Sequence, residues 1–210
     1  MPNETDSVEV PLAEWETPET AEYGAYWSIS VDLQTARALA LRILQLPPSE
    51  RSVRGALLEA ALVRYGRCFT TGRRPRLDVA AKLAAHPHKP LDLHNFCIGL
   101  RDQLIAHSVS DYEQYKVGLV LAPAGKPREV KGVAVVQMRL IEVDDEHLRQ
   151  FAALAEFMGA EFVQPRLDAL LPTIKGLTAD QLDQAYTKSQ QPFGFVAAGP
   201  DSLKPKRKKM

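Results

Sequence analysis

The spacing of apolar residues changes period in the middle of this chain, and that change limits the folds it can adopt. On both sides of the central region, apolar side chains recur at helical spacing. Within it, residues 115–121 and 133–143 are rich in β-branched and aliphatic side chains, and a stretch with Pro and Gly separates them. The sequence therefore predicts a mainly α-helical bundle with a β-hairpin inserted at about residues 115–143, before a long C-terminal helix.

Two of the predicted helices flank the hairpin. The fourth predicted helix covers about residues 91–108, and its apolar face consists of Leu93, Cys97, Leu100 and Leu104. The long helix after the hairpin is expected to begin at Asp144 as N-cap and to kink at Pro165.

A chain of 210 residues fits one domain with appendages. Residues 1–29 contain seven acidic side chains and no basic one, together with Pro and Thr, which is typical of a loosely ordered N-terminal arm. Residues 189–210 include five Lys and Arg near the end and predict a disordered basic tail. The helical domain is then expected to span residues 30–188.

The charge distribution is uneven although the net charge is zero. Residues 37–89 contain eleven Lys and Arg but only three acidic residues, a local net charge of +8. Such a basic face is compatible with a nucleic-acid partner, and RNA is the partner we expect. The alternative is that these side chains are scattered over solvated helix faces.

The cysteines, the N-terminal segment and the length of the apolar runs indicate where in the cell the protein is expected. Cys68 and Cys97 form no C-x-x-C pair, which is typical of a reduced, cytoplasmic protein. The N-terminus has no basic segment followed by an apolar run, so we expect no signal peptide. No run of about 18 apolar residues is present, so we expect no membrane association.

One short segment, residues 100–108, combines an arginine, a carboxylate and a histidine near the end of an amphipathic helix. Arg101 has a planar, permanently charged guanidinium that fits phosphate oxygens. His107 can accept and donate protons near neutral pH. Cleavage of a phosphodiester without a metal requires both properties, and Asp102 can orient either partner.

This segment resembles the R-x4-6-H motif of the HEPN superfamily, with five residues between Arg101 and His107 and a polar residue, Asp102, after the arginine. The resemblance is sharp over residues 92–110 and extends over 31–172 only through the order of helices. Many members are α-helical toxins, abortive-infection effectors or defence ribonucleases. The resemblance therefore implies a metal-independent endoribonuclease that acts by 2′-OH transesterification, in a defence or toxin–antitoxin context. The β-hairpin departs from the family core.

In that interpretation the catalytic residues are Arg101, Asp102 and His107. His107 is the general base or acid, and Arg101 stabilises charge on the non-bridging oxygens. No cofactor is expected. The residues expected to bind substrate are Arg73, Arg74, Arg76, His94 and Ser108.

Two alternatives for these side chains stay open. Arg101 and Asp102 can form a structural ion pair while His107 interacts with a helix C-terminus, which would leave a non-catalytic protein- or nucleic-acid-binding module. His86, His88, His94 and Cys97 offer zinc ligands, but their spacing is not a standard one, so we expect no metal site.

The angular position of the motif residues predicts a homodimer. On one regular helix, Arg101 and His107 lie about 120° apart around the axis and do not point at one site. Either the helix frays near Ala106, or a symmetry-related copy of the same helix completes the site, and the homodimer is the alternative we expect. The family resemblance adds an antitoxin or regulatory protein as a further partner.

Overall fold

The computed structural model describes residues 12–70, 74–87, 90–103, 113–123, 128–139 and 143–190. Its first half contains four helices, α1 (Pro18–Leu44), α2 (Arg51–Gly66), α3 (Ala80–Ala85) and α4 (Leu91–Arg101). A hairpin of β1 (Glu113–Leu121) and β2 (Val130–Arg139) follows. The remaining elements are α5 (Asp145–Met158), one π-helical turn (Gly159–Val163), α6 (Gln164–Lys175) and α7 (Ala179–Ser189). A mainly helical fold with a hairpin before the C-terminal helices is thus confirmed.

The first helix begins within the segment whose composition indicated a loosely ordered arm. Thr17 caps it: its hydroxyl accepts the Thr20 N–H at 3.2 Å, and the Thr20 hydroxyl accepts the Thr17 N–H at 2.8 Å. Pro18 occupies the first helical position, where its missing N–H costs nothing. Ile29 is completely buried, so the early turns also contribute to the core. The acidic composition concealed these helix-start signals.

The core forms where α1 packs against α2, α5 and α6. The buried face of α1 repeats at helical spacing, and α2 and α5 contribute aromatic side chains to the same cluster. Although α1 has 27 residues, neither it nor any other helix in the described ranges is long and apolar enough to cross a membrane. The central residues of the core are Ile29, Leu33, Ala36, Ala40, Leu62, Tyr65, Leu148, Phe151 and Met158.

The predicted fourth helix ends its regular part earlier than expected. It packs on α2 and α5 with His94, Cys97 and Leu100 buried, and two of these, Cys97 and Leu100, belong to the predicted apolar face. From residue 102 to residue 103 the backbone widens into π-helical geometry. The rest of the predicted helix, residues 104–108, lies outside the described ranges. The 120° separation of Arg101 and His107 assumed a regular helix, and His107 lies outside the described ranges, so the homodimer stays a prediction.

The region after the hairpin was predicted as one long helix from Asp144 with a kink at Pro165. Asp144 is indeed the N-cap, and its carboxylate accepts the His147 N–H at 2.8 Å. The interruption takes the form of the π-helical turn, after which Pro165 lies in the first turn of α6. Proline has no N–H to continue the hydrogen-bond ladder, and the wider π-helical turn directly before it is where the regular helix is interrupted.

The hairpin is antiparallel and pairs Val117 with Val135 and Leu119 with Val133. Since side chains alternate between faces, these four residues lie on one face of the two-stranded sheet. All four are more than 60% exposed. The two strands contact each other extensively. Among the described residues, neither strand packs against a helix to a similar extent.

Candidate functional site

The side chain of Arg101 crosses α2 at Gly66. A Cβ added to Gly66 would lie 2.8 Å from Arg101 Nη1 and 3.0 Å from Nε, and it would collide with Cδ. A residue larger than glycine therefore cannot occupy position 66 unless Arg101 moves. The Arg101 side chain is only 20% exposed, so it is placed by packing as well as by charge.

Asp102 neutralises one edge of this guanidinium. Arg101 Nε donates to Asp102 Oδ1 at 2.8 Å, and Nη2 contacts the same oxygen. A guanidinium has five N–H donors, and Asp102 takes two of them. Because Asp102 is half-exposed, the pair lies at the protein surface, where a phosphate group can reach it.

His94 lies one heptad before Arg101 on α4 and contacts the neighbouring residue of α2, Tyr65. The Tyr65 hydroxyl and His94 Nδ1 are 2.8 Å apart. Burial raises the pKa of Tyr65 well above its ordinary value and lowers the pKa of His94. A protonated hydroxyl therefore donates to a neutral imidazole, whose proton is on Nε2. Phe69 lies against the same ring at a centroid distance of 4.6 Å, so His94 anchors α4 to α2.

A second group of arginines surrounds the buried carboxylate of Asp32 on α1. Arg64 Nη1 donates to Asp32 Oδ1 at 3.0 Å. Arg74 Nη1 lies 2.9 Å and Arg67 Nε 3.5 Å from Oδ2. Hereafter Arg64, Arg67 and Arg74 are called the Asp32 arginine cluster. Arg64 and Arg67 belong to the end of α2 that Arg101 crosses, so the candidate site gathers four guanidiniums around one helix terminus.

The sequence patterns predicted two of these site residues, Arg74 and Arg101. They did not predict the other four, which are Asp32, Arg64, Gly66 and Arg67. The signal that was available for Asp32 is a single charged residue within the otherwise uncharged residues 23–36 of α1. An acidic side chain at such a position is buried only when it is paired. No local sequence pattern predicts the contact between Gly66 and Arg101, because the two residues are 35 positions apart in the chain.

The other expected site residues are distributed as follows. Arg76 is exposed on the connection before α3. Arg73, His107 and Ser108 lie outside the described ranges. Of the four residues considered as zinc ligands, His88 also lies outside them, and no group of three or more His, Cys, Asp or Glu in the described part could hold a metal ion.

A groove of about 680 Å³ lies between α4 and α5, on another side of α4 from Tyr65 and Gly66. Leu93 and Phe96 form one wall, while Leu154 and Phe157 form the other. The volume is in the range of ligand pockets. Its polar rim consists of His86, Asp92, His147 and Gln150.

In comparisons with known protein families, curated proteins and solved structures, the chain matches none of them.

Proposed function

We propose that the protein is a metal-independent endoribonuclease of HEPN type that acts at Arg101, Asp102 and His107. The observation that supports this proposal is the position of Arg101. Its guanidinium packs against Gly66, is oriented by Asp102 and remains partly accessible to solvent. A guanidinium held in this way is preorganised for the charge that develops on a phosphate. The motif resemblance supplies the reaction type, since the described residues do not include His107.

The reaction consists of one displacement at phosphorus. His107 removes the proton of a ribose 2′-OH, and the 2′ oxygen attacks the adjacent phosphorus. The bond from phosphorus to the 5′ oxygen breaks, and the leaving oxygen takes up a proton. The products are a 2′,3′-cyclic phosphate and a 5′-hydroxyl end. Arg101 stabilises the non-bridging oxygens during the displacement, and Asp102 holds Arg101 in position.

The biological setting is part of the same proposal. The motif resembles that of HEPN-type nucleases of defence or toxin–antitoxin systems, so we propose a homodimer and an antitoxin or regulatory partner. In the homodimer, residues of both copies would contribute to the sites near the end of α4.

A mixed RNA pool incubated with the purified protein in EDTA tests the proposal. We expect cleavage with 2′,3′-cyclic phosphate ends, and we expect DNA of the same sequence to stay intact because it lacks the 2′-OH. His107→Ala is expected to abolish cleavage. Arg101→Lys is expected to restore little activity relative to Arg101→Ala, since a point charge does not replace a planar fork. Cleavage by the His107→Ala protein at the wild-type rate would refute the proposal.

The second candidate is a non-catalytic HEPN-like module that binds a protein or nucleic acid. The close pairing of Arg101 with Asp102 favours it, because neighbouring charges that neutralise each other are also what a structural ion pair shows. RNA binding without cleavage, together with unchanged binding by His107→Ala, would identify the protein as this module.

A further inference from the structure

The Asp32 arginine cluster contains more positive charge than its buried partner can neutralise. Asp32 is almost completely buried, and it is the carboxylate partner of all three arginines among the described ion pairs. Three positive charges against one negative charge leave a net +2. Guanidiniums this close repel each other unless an anion lies among them, so the arrangement favours binding of a second anion.

The guanidinium N–H donors that are not used within the cluster also favour binding of a second anion. Asp32 Oδ2 accepts no hydrogen bond, although Arg67 and Arg74 approach it, so neither guanidinium directs an N–H at that oxygen. Arg74 donates to the Ser28 hydroxyl at 2.9 Å and to the Arg67 carbonyl at 3.4 Å. Arg67 makes no hydrogen bond from its guanidinium within the described part of the chain, and its side chain is 50% exposed.

We propose that Arg64, Arg67 and Arg74, held in place by Asp32, form a phosphate-binding site that takes the backbone of RNA beside Arg101. This inference rests on the proposed function. Guanidiniums bind phosphate oxygens through paired N–H donors, and a buried carboxylate that fixes their positions lowers the entropic cost of binding.

The relation to Arg101 favours an RNA strand over a single free phosphate. Arg67 directly follows Gly66, the residue that Arg101 crosses, so the cluster and Arg101 lie on adjacent sides of the same helical turn. Consecutive residues of a helix are separated by about 100° around its axis. A chain with regularly repeated phosphates can contact both places, whereas one phosphate ion contacts one of them.

Salt-dependent binding of a single-stranded RNA to His107→Ala protein tests the site without cleavage of the probe. Arg67→Gln is expected to weaken binding and to reduce the slope of log K against log salt by about 0.7, the value for one phosphate contact on a single strand. Arg37→Gln is the matched control, because Arg37 is an arginine of comparable exposure, 42% against 50% for Arg67, that pairs with Glu156 on α5. If both variants lose binding to the same degree, or neither loses any, the site does not exist.

Asp32→Asn separates a fixed site from a diffuse basic patch. The substitution removes a negative charge, so a diffuse patch would bind RNA more tightly. A site organised by the carboxylate would bind more weakly, and this is the result we expect. Ser28→Ala, which removes a hydrogen bond of Arg74 without any change in charge, gives the same test if the Asn variant does not fold.

Inorganic phosphate distinguishes the two sources of the ligand. Phosphate is expected to raise the melting temperature of wild-type protein above that in chloride of equal ionic strength, and Arg67→Gln is expected to lose this shift. Stabilisation by phosphate without any RNA binding would overturn the assignment to RNA. Arg67-dependent RNA binding without cleavage by wild type would support the site and refute the nuclease. RNA cleavage by wild type, together with RNA binding that Arg67→Gln leaves unchanged, would support the nuclease and refute the phosphate-binding site.

Discussion

Arg101 and Gly66, on different helices, are so close that a single methyl group on Gly66 would displace the Arg101 guanidinium. The backbone of Gly66 is helical, and glycine in a helix is less stable than alanine by roughly 0.5–1 kcal/mol. Glycine at position 66 therefore lowers the stability of the helix and leaves the space that the Arg101 side chain occupies. The contact links the end of α2 to the motif at the end of α4.

Gly66→Ala is expected to separate stability from function. Helix propensity favours the alanine by up to about 1 kcal/mol, while the displaced Arg101 weakens RNA binding and cleavage. Thermal unfolding together with the RNA assays measures both effects. Gly55→Ala on the same helix is the control, because nothing lies within 4 Å of the added carbon. It should stabilise the protein and leave RNA binding unchanged, and equal activity of the two variants would contradict the assigned role of Gly66.

Tyr65→Phe is expected to lower the free energy of unfolding by about 1–3 kcal/mol, because it leaves the buried Nδ1 of His94 without its donor. The ring itself keeps its contacts with Phe69 and Phe151, so the loss reports the hydroxyl alone. Denaturant unfolding measures the change. Tyr186→Phe, at an exposed tyrosine of α7, should change stability by less than about 0.5 kcal/mol. A similar loss in both variants would show that the hydrogen bond contributes nothing specific.

His94 is expected to make the fold sensitive to acid. Burial lowers its pKa in the folded protein, so below about pH 6.5 the unfolded chain binds the proton more readily. The stability that depends on neutral His94 is therefore complete above this pH and decreases as the pH falls towards the lowered value. Melting temperatures between pH 7.5 and pH 5.5 should decline more for wild type than for His94→Gln. Parallel declines would assign the acid sensitivity to other groups.

The sequence predicted the elements that depend on local patterns. Period and turn residues located the hairpin, and the apolar spacing of Leu93, Cys97 and Leu100 located the face of α4 on which Cys97 and Leu100 are buried. The start of α1 was placed too late, since the acidic composition outweighed the capping pattern of Thr17 and Thr20. Composition describes the average of a segment, whereas a helix begins because of a few specific hydrogen bonds.

The candidate site was only partly predictable, because its contacts join distant parts of the chain. Arg101 and Asp102 are adjacent and could be recognised as a motif. Asp32 and Arg74 are separated by more than forty positions, and Gly66 acquires its role only when α4 packs on α2. Contacts of this kind depend on helix packing, which no local pattern of residues specifies.

The exposed face of the hairpin is expected to cause self-association. Val117, Leu119, Val133 and Val135 form an uncharged aliphatic patch on a two-stranded sheet, and patches of this kind typically mark interaction surfaces. Leu119→Thr keeps a residue that is well tolerated in strands and reduces the apolar area, so the mass measured by light scattering should increase less with concentration. Val120→Thr is the matched control, because its side chain lies on the opposite face of the same strand. If association is equal in the two variants, then the patch does not mediate it, and the end of α4 becomes the surface to test for the proposed homodimer.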